Sequence, residues 1–322
     1  MILSSHIRRL IPDFAKAPLR RVHRGLRAAA GGGALSPFAH HVRLQAYGAE
    51  FRFPARFRFH RKVARVPPSP TWKSTFFGAL CRDERSLFLD IGANNGQTLL
   101  EFAASPAPQR YIGFEPNPVC AGYCNDLILA NDLDAAVYAC ALADTAGAVS
   151  LLVNPDVAHD TGASIMAGLR PGRELRGVPV VHLPLASFRG MIDYSDIAMV
   201  KIDVEGAELM VLEGAEDLLA EGDAVIICEV LRPDDRSDPE AIAAQGRRLQ
   251  ALVEKHGYGI YAIVKATEED RLLRLEPVTA FPSERWTRET ATLNDYLFAR
   301  PHHLDLFRSV TQNGIGFSVS TG

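Results

Sequence analysis

The stretch Leu87-Phe-Leu-Asp-Ile-Gly-Ala-Asn-Asn-Gly96 constrains the fold of this 322-residue chain more than any other. Leu87, Phe88 and Leu89 form a short apolar run of the kind found in a strand buried on both faces. Asp90 ends that run, Gly92 and Gly96 bracket a tight turn, and Thr98 to Ala104 has the composition and spacing of a helix. Strand, glycine turn and helix bring backbone close to a nucleotide-like ligand at the carboxyl edge of an α/β sheet.

The spacing also excludes a ligand class. A dinucleotide fold needs Gly-x-Gly-x-x-Gly with a helix N-terminus facing a pyrophosphate. Here the glycines stand four apart, and Asp90 is expected to point into the same turn. A carboxylate there repels a pyrophosphate but suits a ligand with positive charge and hydroxyls. S-adenosylmethionine, with its sulfonium, ammonium and ribose diol, fits that description better than NAD.

The chain is long enough for one large α/β domain plus an appendage. Its 47% hydrophobic and 23% charged content is that of a soluble globular protein. No apolar run approaches the roughly 20 residues that cross a bilayer. Arg8 and Arg9 precede no continuous apolar core with a small-residue cleavage site, which argues against a secretory signal. Five cysteines, Cys81, Cys120, Cys124, Cys140 and Cys228, lack metal-type spacing and point to a reducing compartment, most simply the cytoplasm.

The net charge of -3 hides an asymmetry: residues 1–66 hold 14 Lys and Arg against Asp13 and Glu50, leaving 21 basic and 36 acidic residues beyond. A basic arm before an acidic domain serves an anionic surface or docks on its own acidic domain. Nucleic acid is the weakest of these partners, because no recognised binding module accompanies the charge. The expected division is a basic N-terminal extension over residues 1–70, a main domain over 71–305 and a tail over 306–322.

Along the chain, phenylalanine and arginine alternate from Phe51 onward, predicting a strand or hairpin with one basic face before the Pro67-Pro68-Ser69-Pro70 linker. Thr71 to Arg82 carries an apolar face that predicts a helix. Strands are expected at Arg110–Phe114, Ala135–Leu142, Val149–Val153, Val178–Leu183, Ile197–Ile202, Ala224–Cys228, Tyr258–Val264 and Thr292–Ala299. Helical stripes run through Cys120, Tyr123, Cys124, Leu127 and Ile128, through Leu209, Leu212 and Leu219, and through Ile242, Gln245, Leu249, Leu252 and Val253. Alternation of this kind means a parallel sheet with helices on both faces. The irregular stretch 154–177 is long enough to be functional.

Acids stand just after several of these strands: Asp90, Glu115, Asp203 and Glu229, with Asp144 close behind the third. In an open parallel sheet such tips gather at the edge where ligands bind. Glu115 falls 25 residues after Asp90, where α/β nucleotide-binding domains place the acid that takes both ribose hydroxyls; its other reading is a helix N-cap partner.

These residues resemble the FkbM family of S-adenosylmethionine-dependent methyltransferases. The resemblance rests on Asp90-Ile-Gly-Ala-Asn-Asn-Gly96, Phe114-Glu-Pro-Asn-Pro118 and Lys201-Ile-Asp-Val-Glu-Gly-Ala-Glu208 with Val211-Leu-Glu-Gly-Ala215. It covers Leu87 to Glu229, continues more weakly to about Ala299, and leaves residues 1–70 outside. It implies a class I methyltransferase (Rossmann-like) fold, α/β, with a seven-stranded, mostly parallel sheet whose last strand is antiparallel. It further implies that Asp90, Gly92 and Asn94 line the methionine end of the cofactor, in the turn that Gly96 closes. Glu115 would hold the ribose with Pro116 and Asn117 beside it, and Asp144 would approach the adenine amino group. Lys201, Asp203 and Glu205 would sit where methyl meets acceptor, typically a hydroxyl in this family and often that of a sugar.

Removing a proton from an alcohol needs a positioned base. Asp203 and Glu205 are the first candidates, followed by His159 in the long loop, which is otherwise a solvated histidine, and His182, whose strand position favours packing. No metal is expected, since no histidine-rich ligand set accompanies the acids. Two alternatives stay open: a lipid or peptide acceptor, and a non-catalytic binding module of the same fold.

Overall fold

The computed structural model describes residues 41–312 and 318–319, apart from 56–58, 83–85, 107–109, 157–161, 167–173, 234–237, 267–269, 283, 286, 288–289 and 291–292. Residues 1–40, with most of the basic extension, lie outside the described residues, as does His159.

The described chain opens with an antiparallel hairpin of β1 (His41–Ala46) and β2 (Ala49–Pro54). Tyr47 and Gly48, both at positive φ, turn it in the sense that matches strand twist. Phe51 and Phe53 are buried and Arg52 exposed, as the alternation predicts, but the strand stops at Pro54. A helix, α1 (Phe59–Arg65), replaces the rest of the expected strand. Phe59 and Val63 stand four apart, so one helical face carries both into an apolar cluster with Phe53, Tyr123 and Leu127.

The central sheet has nine strands: β3 (Leu87–Ile91), β4 (Arg110–Phe114), β5 (Ala135–Tyr138), β9 (Ile197–Ile202), β10 (Val225–Glu229), β11 (Gly259–Ala266), β12 (Arg271–Pro277), β13 (Asp295–Ala299) and β14 (Ser318–Val319). The intervening labels β6 (Ala141–Leu142), β7 (Gly147–Val153) and β8 (Arg176–Leu183) belong to a small sheet ordered β6-β8-β7. The large sheet runs β14-β12-β11-β13-β10-β9-β3-β4-β5. From β5 to β10 every pairing is parallel; β13 then runs antiparallel to both β10 and β11. The strands β5, β4, β3, β9, β10, β13 and β11 account for the expected seven, with one reversed. β12 and β14 correct that count: a hairpin from β11 and a short parallel strand widen the edge. In β12 only Leu272 and Leu275 are buried, too sparse a signal for the alternation to reveal.

Helices α2 (Lys73–Leu80), α3 (Gln97–Ala103), α4 (Pro118–Asn131), α5 (Glu208–Glu213), α6 (Glu216–Glu221), α7 (Pro239–Lys255) and α8 (Pro301–Gln312) complete the fold. The strands divide their side chains between two faces by strict alternation. Leu87, Leu89, Ile91, Val200, Ile202, Ile226 and Cys228 join one core with α5 and α7. Phe88, Met199, Val225, Ile227 and Leu297 join another under α2, where Phe76 meets Phe307 of α8 edge to face. Among the described residues no helix is long and apolar enough to cross a membrane.

Candidate active site

Two turns meet at the carboxyl edge of β3 and β9. Asp203 N–H donates to the Ile91 carbonyl, and the Gly92 and Ala93 N–H groups donate to the Phe114 carbonyl. Gly92 has φ +89°, and a Cβ there would lie 1.9 Å from the Asp203 carbonyl oxygen, so two main chains touch where no side chain fits. Asn94 and Glu205 also take positive φ, at 48° and 54°. Such strain in non-glycine residues clusters at functional sites. The second turn is fixed from outside: the Ser164 hydroxyl donates to the Glu205 carbonyl at 2.7 Å and the Gln245 amide donates to the Gly206 carbonyl at 2.9 Å. The Gly206 N–H donates to Glu208, whose carboxyl is pushed up to about 7 by burial.

These turns border a cleft of about 610 Å³, partly open to solvent. Ile91, Phe114, Leu142 and Leu151 give it an apolar wall, and Asn94, Glu115, Ser164, Asp203 and Glu205 its polar groups. Glu115 accepts the Asn94 N–H at 2.7 Å and the Asn117 N–H at 2.8 Å, one on each oxygen. Burial pushes its carboxyl up to about 7, with both N–H donors pulling the other way. Among the described residues the lining holds three carboxylates and no Lys or Arg. A cationic ligand with a diol and a flat apolar ring fits this cleft, and a pyrophosphate does not.

A second chamber of about 570 Å³ opens on the opposite face of the sheet, lined by Trp72, Lys73, Lys201, Asp203, Glu229, Lys265, Asp270 and Asp295, with Ile202 and Ile227. Alternation explains its floor. Asp90 and Lys201 are cross-strand neighbours on the α2 face, as are Glu229 and Asp295 further along. Lys201 Nζ lies 3.4 Å from Asp90, 3.1 Å from Asp203 and 3.4 Å from the Gly92 carbonyl oxygen. The Tyr111 hydroxyl donates to Asp90 at 2.6 Å. Burial raises Asp90 against the opposing pull of Lys201 and Tyr111. Burial also disfavours the Asp203 carboxylate, but Lys201 and a hydrogen bond from Glu229 hold it below the usual range. Glu229 is pushed well above that range by burial and by the adjacent Asp203 charge.

The structure brings Gly92, Asn94, Glu115, Asp203 and Glu205 together around the first cleft. Asn117 caps α4 through its side chain and supports Glu115 through its N–H. Gly96 closes the turn at φ +75° and packs on Cys124 and Leu127. Asp90 differs from expectation: it is fully buried and faces Lys201 and Tyr111, because Asp90 and Ile91 project from opposite faces of β3. Asp144 is exposed beside Thr145 while Ala141 and Leu142 supply the wall, because the third strand breaks after Tyr138 and leaves the main sheet. His182 contacts the Thr145 carbonyl and does not line the cleft. Ser164 and the Trp72, Lys265, Asp270 and Asp295 wall were missed; only Glu229, as a strand-tip acid, carried a signal.

The family model for the methyltransferase FkbM domain matches residues 90–260, just over half of the chain. No curated protein matches the sequence. Among solved structures, the chain is similar to a methyltransferase FkbM from Methylobacillus flagellatus KT, with 14% identity and TM-score 0.37, over 67% of this chain and 44% of that one. It is similar to a geranyl diphosphate C-methyltransferase from Streptomyces coelicolor A3(2), at 11% identity and TM-score 0.37, over 88% and 97% of the two chains. A SAM-dependent O-methyltransferase from Thermotoga maritima gives 10% identity and TM-score 0.33 over 80% and 77%. The family match, on a sheet that carries two strained turns and an acid-lined cleft at the same edge, decides the assignment: the chain belongs to the FkbM family and is an S-adenosylmethionine-dependent methyltransferase.

Proposed function

We propose that the protein O-methylates a hydroxyl of a saccharide, free in a glycan or borne by a glycosylated natural product. The observation that carries this reading is that Asp203 lines both cavities, so one carboxylate borders a cofactor cleft and a strongly polar chamber at once. Gly92, Asn94 and Glu115 would hold S-adenosylmethionine, Glu115 through the ribose hydroxyls and the apolar wall through the adenine. When bound, S-adenosylmethionine would supply a sulfonium-activated methyl group for in-line transfer to the acceptor oxygen, with the sulfur as the leaving group. Asp203 accepts the hydroxyl proton, with 37% of its side chain exposed to receive it. Glu205, at the same junction, is the second candidate base, and Lys201 orients Asp203 from behind.

The second chamber supports a polyhydroxylated acceptor over a lipid. Its wall is a ring of charged hydrogen-bonding groups, with little aliphatic surface for an acyl chain. Arg52, Arg61, Lys62 and Arg65, exposed on β2 and α1, support contact with an anionic surface. The five cysteines are free and buried, in keeping with a reducing compartment such as the cytoplasm.

Calorimetry with S-adenosylmethionine and S-adenosylhomocysteine tests the cofactor, and transfer of labelled methyl to neutral glycosides, glycuronides, lipids and peptides tests the acceptor. Methylation of glycosides supports the reading. Transfer to lipid or peptide alone overturns it.

A further inference from the structure

The mechanism above gives no part to the acid at the end of β10. Glu229 ends β10, and the parallel register that pairs Cys228 with Ile202 sets it beside Asp203 in the lining of the second chamber, where the two carboxyls are hydrogen-bonded. Two carboxyl groups at hydrogen-bond distance hold one proton between them, because two adjacent anions repel in a low-dielectric site. Lys201, 3.1 Å from Asp203 on its other side, decides which partner stays ionised. We propose that Glu229 is a positioning residue of the methyl-transfer site, whose single shared proton fixes the Asp203 carboxylate with its remaining lone pairs turned toward the acceptor chamber.

The surroundings support that division. Asp295 stands opposite Glu229 in the neighbouring strand, and its charge is taken up by Lys265. Asp90 shares Lys201. Glu205, on the turn after β9, adds negative charge that favours a protonated Glu229. Lys73 of α2 and Asp270 before β12 complete the charged lining. Glu208 lies behind the same turn on α5. With Glu229 holding its proton, the pair carries one negative charge beside one lysine, and that charge sits on the residue both cavities reach. Loss of the proton at high pH leaves two anions in contact and frees Asp203 to turn away.

This inference rests on Asp203 as the proton acceptor, and the first test needs neither cofactor nor acceptor. Carboxyl-¹³C glutamate is incorporated into the full chain, and the Glu229 resonance is assigned by its loss in Glu229→Gln. The expected result is a midpoint well above the ordinary glutamate range that falls by at least about one pH unit in Asp203→Asn. An ordinary midpoint, or one that Asp203→Asn leaves in place, overturns the proposal. With an acceptor in hand, Glu229→Ala is expected to lower kcat about 10²-fold while cofactor affinity stays within about twofold. Glu229→Gln, which keeps a donor to Asp203, is expected to recover most of that loss and to abolish the alkaline fall in rate. Equal kcat in wild type and Glu229→Ala overturns the positioning role. Glu229–Asp203 coupling with full turnover in Asp203→Asn would instead overturn the base assignment above.

Discussion

The two cavities that meet at Asp203 are built from opposite materials. The first is shaped by main chain: residues at positive φ, N–H groups held by one buried carboxylate, and an apolar wall. The second is shaped by long charged side chains drawn from β9, β10, β11, β13 and α2, with Trp72 between Lys73 and Lys265, whose Nζ atoms lie 4.8 and 5.3 Å from its ring centroid. A surface of backbone tolerates little change and suits one fixed ligand. A surface of side chains can be altered residue by residue, which suits selection among acceptors.

Gly92→Ala attacks both cavities at once. Its Cβ would strike the Asp203 main chain at a positive-φ position, and a stability loss of about 4 kcal/mol or more is expected in chemical denaturation. Asp203→Asn should weigh chemistry against binding: kcat falls about 10² to 10⁴-fold, a larger loss than the weakening of cofactor affinity that calorimetry reads when one of the three cleft carboxylates is neutralised. Lys201→Met leaves the fully buried Asp90 with Tyr111 as its remaining partner, and about 3–5 kcal/mol of stability should be lost. The first cleft should still bind cofactor in the folded fraction.

Glu115→Gln confines damage to the first cleft. Weakening of S-adenosylmethionine binding by about 10- to 100-fold is expected, with stability only modestly reduced because one backbone N–H loses its acceptor. The smallest effect is a pH dependence. The free protein holds a proton on Glu115 below about 7, and a cationic ligand favours the ionised form. Affinity should therefore rise by up to about tenfold per pH unit toward 7 and level off above it. Glu115→Gln should be flat across the same window.

The legibility of these regions in the sequence follows the same contrast. The first cleft lies in short contiguous motifs, where apolar runs, glycines and tip acids report local backbone directly. Strand count fails at β12, where two buried leucines among arginines give no clean period, and the expected boundary after residue 305 falls inside α8, between the buried Leu304 and Phe307. Asp90 shows the sharper lesson: it lies one residue inside the end of β3, and strand parity turns its side chain away from the face of Ile91 and toward Lys201. The second chamber was unreadable because its wall comes from positions as far apart as Trp72 and Asp295, which are joined only by the sheet order.

The outer wall of that chamber is fastened by one residue. Glu101 Oε1 accepts from the Thr71 N–H, the Thr71 hydroxyl and the Ser74 hydroxyl, while the Trp72 N–H donates to the Asp270 carbonyl. Trp72, Lys73, Lys265, Asp270 and Asp295 all fall outside the 90–260 segment that defines the family, whereas Lys201, Asp203 and Glu229 fall inside it. Under the proposed division of the two cavities, the enzyme works like a machine tool with a permanent spindle and a bolted-on chuck. Grafting residues 71–74 together with the β11–β12 hairpin from a relative would change what is gripped and leave the cutting edge in place.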